Sequence, residues 1–392
     1  MKQRNWRLPD GVDELLPPRA RSLELVRRAV LDLFHGWGFD YVEPPLIEYL
    51  DALLVAGGAD LDLQTLKVVD QRSGRMLGVR ADMTSQAARI DAHRIDHDGV
   101  TRLCYAGTVV YANPLAFAES RVPVKAGAEI FGSDSLAADE EVVALMVEVL
   151  RTAGVQKPLL VLGHMGIYHA LTADLELNPH DAQALFEAVQ SKSENDIADL
   201  LNGDASADLL VSLPRLMGSI EIVEEARATL ASAPVKVQQS IDALQDLGER
   251  VQKRCPEVAL RFDLAELAGY GYHNGPVFAA FHGDHGRALA RGGRYDGIGA
   301  AFGRGRPATG FDVNLKQLLD VDVDDVPGVW APWAEGQASV GLMRRVAELR
   351  EAGYRVVCAL SADQQRPPSC DAALQLEDGQ WVLFEKDDDR GS

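Results

Sequence analysis

The sequence predicts an α+β fold, a largely antiparallel sheet interleaved with helices, and three observations carry it. Strand-like runs at 103–111 and 124–131 read as one long hairpin. From about residue 166 to 254 strand alternation disappears and apolar spacing becomes helical. Strand character then returns at 258–262, 276–282 and 308–313 with Gly-rich turns between, which is not the regular βαβ alternation of a parallel sheet.

The remaining elements follow in order. After Pro17-Pro18, the residues Leu23, Val26, Val30, Leu33, Phe34 and Trp37 recur at three and four positions, an amphipathic helix that Gly36 and Gly38 help to end. The stretch DYVEPPLIEY, 40–49, reads as an extended edge or interface strand because Pro44 and Pro45 cannot donate to a ladder. Strands at 66–69 and 76–80 flank a turn at Ser73-Gly74. A helix over 138–152 carries Asp139, Glu140 and Glu141 at the positive end of its dipole and stops at Gly154. A strand at 158–162 leads into the helical block. The segment VDDVPGVWAPWAEG, 323–336, reads as a linker, followed by a helix at 341–352 and strands at 354–360 and 380–384. The expected organisation is therefore a core over 1–322, with a helical insertion at about 166–256, and a small C-terminal α/β segment over 323–392.

At 392 residues the chain exceeds a typical single domain. Its 47% hydrophobic and 25% charged residues are globular values. The formal charge of −20 disfavours attraction to phosphate backbones, so no nucleic-acid partner is expected. The four cysteines, Cys104, Cys255, Cys358 and Cys370, form no CxxC pair. The N-terminal residues lack the apolar run of a signal peptide, and no run of about 18 apolar residues occurs. The expectation is a cytoplasmic protein with no membrane contact.

Metal and nucleotide motifs give little. His93 and His97 stand four apart in DAHRIDHDG, the spacing of a zinc pair on a helix, but the glutamate of HExxH is absent and a polar helix end explains them equally well. His282, Asp284 and His285 in FHGDHG read as a hairpin turn. No GxxxxGK[ST] or GxSxG occurs, and GYGYHNG and GRGRPATG both miss the third glycine of GxGxxG. We expect neither a metal nor a cofactor. GGRYDG, 292–297, reads as a tight turn before a helix, with PATGFDVNL ten residues on running from strand into helix.

Taken together, RADMT (80–84), GAEIFG (127–132), GYGYHNGPVF (269–278) and GGRYDG resemble the histidyl-tRNA synthetase catalytic core, in the same order over roughly residues 6–320. The resemblance implies the class II synthetase fold, and the Pro44-Pro45 strand, similar to that family's first motif, implies a homodimer. Three departures stand out. Tyr111 occupies the place of an arginine that grips the ATP α-phosphate and the reacting carboxylate, Gln317 that of an arginine holding the γ-phosphate, and Ala268 that of an arginine that helps activation. Losing one preorganised donor costs about 2.7–4 kcal/mol of transition-state stabilisation, so aminoacylation is expected to be lost and no catalytic residue is assigned.

A synthetase core with these departures and a short acidic tail resembles the regulatory-subunit family of ATP phosphoribosyltransferase. That resemblance implies a short-form catalytic subunit as partner in a hetero-oligomer and feedback inhibition by L-histidine. By position within the synthetase motifs, Asp82 and Thr84 would take the ligand ammonium and Glu129 an imidazole nitrogen. Tyr272, His273 and Tyr295 would close around the ring, and Arg121 or Lys125 would meet the carboxylate. Two other classes stay open at this point: a stand-alone histidine-adenylating enzyme, which pyrophosphate exchange would reveal, and a scaffold without ligand.

Overall fold

In the computed structural model the described residues are 7–55, 58–95, 97–114, 119–201, 207–267, 273–283, 286–319 and 328–385. The chain divides into two compact units, residues 1–321 and 322–392.

The first unit opens with α1 (Arg19–Gly36), then the short strands β1 (Asp40–Tyr41) and β2 (Ile47–Tyr49). The single extended run expected over 40–49 is thus broken in two, and the halves join different sheets. The Pro44-Pro45 pair at the break lacks N–H donors for a ladder. Its carbonyls instead accept from Arg80 and Gln86. Helices α2 (Leu50–Leu54) and α3 (Gly58–Gln64) lead to β3 (Leu66–Val69) and β4 (Met76–Val79), which with β2 form a three-stranded antiparallel sheet in the order β2-β4-β3. Helix α4 (Thr84–His93) precedes β5 (Thr101–Thr108) and β6 (Val124–Phe131), and α5 (Leu136–Thr152) precedes β7 (Leu159–His164).

The helical block contains α6 (Met165–Thr172), α7 (Pro179–Gln190), α8 (Glu194–Leu200), α9 (Ala207–Ser212), α10 (Glu221–Thr229) and α11 (Val235–Arg254). It is not wholly helical: β8 (Met217–Gly218) pairs with β9 (Ala259–Asp263). Then come β10 (Pro276–Phe281), β11 (Ala290–Arg294) and β12 (Ala308–Asn314). GGRYDG is therefore not a tight turn at its start. Gly292, Gly293 and Arg294 form the end of β11, where the absence of side chains on the two glycines hides a central strand from an alternation test.

The main sheet has the order β1-β5-β6-β12-β11-β10-β7-β9-β8. Its central pairs are antiparallel, while β1-β5 and β7-β9 are parallel. Alternation gives it two faces. Cys104 and Ala106, Ala126, Ala128 and Ile130, and Phe311 and Val313 belong to the large core with Val30 and Phe34 of α1 and Val142 and Leu145 of α5. The intervening residues Leu103 and Tyr105, Phe131 and Ala308 turn to the other face, where they pack with Met83, Ala87, Tyr111 and Tyr295.

Arg294 fixes β11 to α5. Its guanidinium donates to Asp139 at 2.8 Å and to the carbonyls of Ser133 and Ser135, with side-chain exposures of 8% for Arg294 and 1% for Asp139. Asp139, in the first turn of α5 as expected, is thus also a buried ion-pair partner. Asp296 accepts from Arg294 and from the Ala308 amide, tying the same motif to β12.

In the second unit the segment expected as a linker contains β13 (Gly328–Ala331). It is followed by α12 (Gly336–Glu351), β14 (Arg355–Cys358), β15 (Cys370–Glu377) and β16 (Gln380–Glu385). The sheet order is β14-β13-β15-β16, so β13 and the unforeseen β15 are its interior strands. Val329, Ala331, Ala372 and Leu374 pack on Leu342, Val346 and Leu349 of α12. Among the described residues no helix is long and apolar enough to cross a membrane.

Candidate functional site

The second face of the main sheet carries a cluster of acids and phenols on a floor of glycines. Lys125, Gly127 and Glu129 lie along one side of β6; Gly127 is opposite Tyr105 of β5 and Asp312 of β12, and Glu129 is opposite Gly310. A Cβ on Gly310 would stand 1.5 Å from Glu129 Oε2, and one on Gly127 would stand 2.5 Å from the Tyr105 hydroxyl. The two glycines are what allow these side chains to lie flat across neighbouring strands.

Glu129 is 1% exposed. Tyr105 Oη donates to its Oε1 at 2.8 Å and Tyr295 Oη donates to its Oε2. Burial pushes its pKa up to about 8, against the pull of the Tyr295 and Tyr105 hydroxyls, with Asp82 raising it further. At neutral pH the carboxyl therefore holds a proton that it can share with a heteroaromatic nitrogen. The Thr84 hydroxyl lies 3.3 Å from that of Tyr105. Thr84 opens α4, where Asp82 accepts from its backbone amide at 3.1 Å. Asp82 is 3% exposed, and burial raises its pKa while Lys125 pulls it down. His273 is buried with its ring edge-on to Tyr295, centroids 6.1 Å apart.

At the other end Lys125 Nζ donates to Asp312 Oδ2 at 2.8 Å. Tyr111 is buried beside this pair, its pKa raised by burial and lowered by Lys125. It lies beyond β5, in an isolated bridge to Thr65.

The structure thus brings Asp82, Thr84, Lys125, Glu129, His273 and Tyr295 to one face. Arg121 is directed elsewhere: its guanidinium donates to the carbonyls of Tyr111 at 2.9 Å and Asp10 at 3.1 Å. Tyr272 and Ala268 lie outside the described residues. Tyr105, Asp312 and Gly310 escaped the sequence reading. The signal for Asp312 was the one charged residue in the strand ATGFDVN, and that for Tyr105 was its position on the same parity as Leu103.

The rejected motifs have structural explanations. His97 lies beyond the end of α4, its Nδ1 accepting from the Gly99 amide, so His93 and His97 do not share a helix face. FHGDHG falls between the antiparallel strands β10 and β11, with Asp284 and His285 outside the described residues. In GRGRPATG, Arg304 and Arg306 donate to the carbonyls of Ile95 and His97 after α4, a structural lock rather than a phosphate loop.

The fold around this cluster of three carboxyls, one ammonium and three phenols is that of a class II synthetase core. The Histidyl-tRNA synthetase family profile matches residues 11–318, and that of the ATP phosphoribosyltransferase subunit HisZ C-terminal domain matches 326–384. The chain belongs to the family of ATP phosphoribosyltransferase regulatory subunits. It is 47% identical over 388 residues to the ATP phosphoribosyltransferase regulatory subunit of Pseudomonas aeruginosa, covering 96% of this chain and 97% of that one. It is 46% identical to that of Alkalilimnicola ehrlichii, covering 97% of each. Among solved structures, an ATP phosphoribosyltransferase regulatory subunit/histidyl-tRNA synthetase from Bacillus halodurans matches with a TM-score of 0.82 at 26% identity, over 93% of this chain and 96% of that one. A histidyl-tRNA synthetase from a Nostoc species matches with a TM-score of 0.78 at 14% identity over 98% and 97%, a likeness of fold.

Proposed function

We propose that this protein is the non-catalytic subunit on which a short-form ATP phosphoribosyltransferase catalytic subunit depends, and that its pocket takes free L-histidine as a feedback effector. The observation that carries this reading is the pairing of the acid-and-phenol cluster with neutral residues at the two phosphate positions. Glu129, held by two tyrosines, meets the imidazole; Asp82 and Thr84 meet the ammonium; Lys125 meets the carboxylate. Tyr111 and Gln317, by contrast, are neutral. The cations near them are engaged, Lys125 with Asp312 at 2.8 Å, Arg121 with backbone carbonyls and Lys316 with Asp13 at 3.2 Å. Without an arginine at either position to hold the α- and γ-phosphates, ATP lacks its anchors for adenylation, so synthetase activity is absent.

Self-association through the β2-β4-β3 sheet fits the same reading. Ile47, Tyr49 and Val68 lie on one face of that sheet and Val69 and Met76 on the other, all exposed, apolar side chains of the kind that a protein–protein contact covers. The four cysteines are free, which suits the cytoplasm.

Calorimetric titration of the purified protein tests the ligand. Saturable binding of L-histidine with no heat from ATP is expected, and Asp82→Asn should weaken histidine by about tenfold or more, the scale for removing one partner of a buried charged contact. Saturable ATP binding would overturn the reading in favour of an adenylating enzyme.

A further inference from the structure

The Lys125–Asp312 pair bridges β6 and β12 at the end of the cluster away from Glu129. Both residues project from adjacent strands into the pocket, at 11% and 25% side-chain exposure, where a partly desolvated ion pair contributes little net stability. Its neighbours are the Asp82 carboxylate, which Lys125 and Asp312 both influence, and the Tyr111 phenol. Charges therefore alternate at this end of the pocket, with one ammonium between carboxylates.

We propose that Asp312 is a positioning residue and that the Lys125–Asp312 pair reads the zwitterionic head of an α-amino acid, so that the pocket discriminates an intact amino acid from the same side chain lacking either charge. The proposal rests on the histidine reading above. A zwitterion laid antiparallel to the pair puts its carboxylate on the Lys125 ammonium and its ammonium between Asp312 and Asp82, so every charge has an opposite neighbour. Lysine is a point charge on a flexible four-carbon stem. Asp312 holds that charge over the sheet, and Gly127, across from Asp312, lets the Tyr105 ring lie over the strand between the pair and Glu129. A ligand with the carboxylate alone would set its negative charge beside Asp312 and Asp82 with nothing to offset it. A ligand with the ammonium alone would leave Lys125 with no new partner.

The test compares L-histidine, imidazolepropionate and histamine by titration against the wild type, Asp312→Asn and Lys125→Met. In the wild type histidine should bind tighter than either analogue. In Asp312→Asn the preference for histidine over imidazolepropionate should fall by about tenfold or more, and in Lys125→Met the preference for histidine over histamine should fall on the same scale. Asp312→Glu should restore part of the first preference. A purely structural pair would weaken all ligands alike, leaving the preference ratios unchanged, and that result would overturn the proposal. If Asp312→Asn does not fold, the Lys125→Met ratio decides. A wild type that binds neither histidine nor its analogues would instead sink the histidine reading itself, and this proposal with it.

Discussion

Arg294→Ala is expected to destabilise the first unit by about 3–5 kcal/mol, the range for removing one partner of a buried ion pair. The cause is specific. Asp139 would remain buried with no cation, and the carbonyls of Ser133 and Ser135 before α5 would lose the Arg294 donation, Ser135 keeping only the Ala138 amide. Burial already raises the Asp139 pKa against the pull of Arg294, so without the arginine that carboxyl would take up a proton. Denaturant unfolding of wild type and variant measures the loss. The double variant Arg294→Met, Asp139→Leu, which removes both charges, should recover most of it. A single variant as stable as the wild type would contradict the buried clamp.

The second large effect is in pH dependence. Glu129 has a native pKa raised to about 8 by burial, against an ordinary 4.5. Between those values the native state holds a proton that the unfolded chain has released. Stability from this group is therefore fully present below about pH 4.5, declines as pH rises, and is lost above about pH 8, a swing on the order of several kcal/mol. Glu129→Gln keeps the shape and the hydrogen-bond partners Tyr105 and Tyr295 without titrating. The difference between wild type and variant should drift in favour of the variant from acid to alkaline pH. Asp82, whose pKa burial also raises, keeps some slope in the variant. Superimposable stability profiles would show that Glu129 is ionised in the native protein.

Much of the fold was legible because its signals are local. The period of the α1 apolar residues and the alternation in β5 and β6 both survive translation into structure, since one face of each meets the large core. What was missed has a common cause. β11 ends in Gly292 and Gly293, and β13 lies in a segment rich in acids and prolines, so neither presents a pattern. β15 was missed although its CDAALQLE does alternate in part. At the site, Asp82, Glu129 and Tyr295 were found through motif resemblance. Tyr105 belongs to no motif, and Asp312, though inside PATGFDVNL, was given no role; both are recruited by register across Gly127, which only strand pairing reveals. Arg121 shows the converse. A free cation by sequence, it is bound by backbone carbonyls at Asp10 and Tyr111, distant in the chain or irregular in conformation.

A feedback effector must bind the states of the complex unequally, and by linkage the catalytic subunit's substrates must then change histidine affinity by the same factor. The most direct measurement is ATP phosphoribosyltransferase activity of the short-form catalytic subunit from the same genome, assayed alone, with this protein, and with this protein plus L-histidine. The account predicts activity only when both chains are present, falling as histidine is added. A catalytic subunit fully active alone, or a complex whose activity does not respond to histidine, would contradict it.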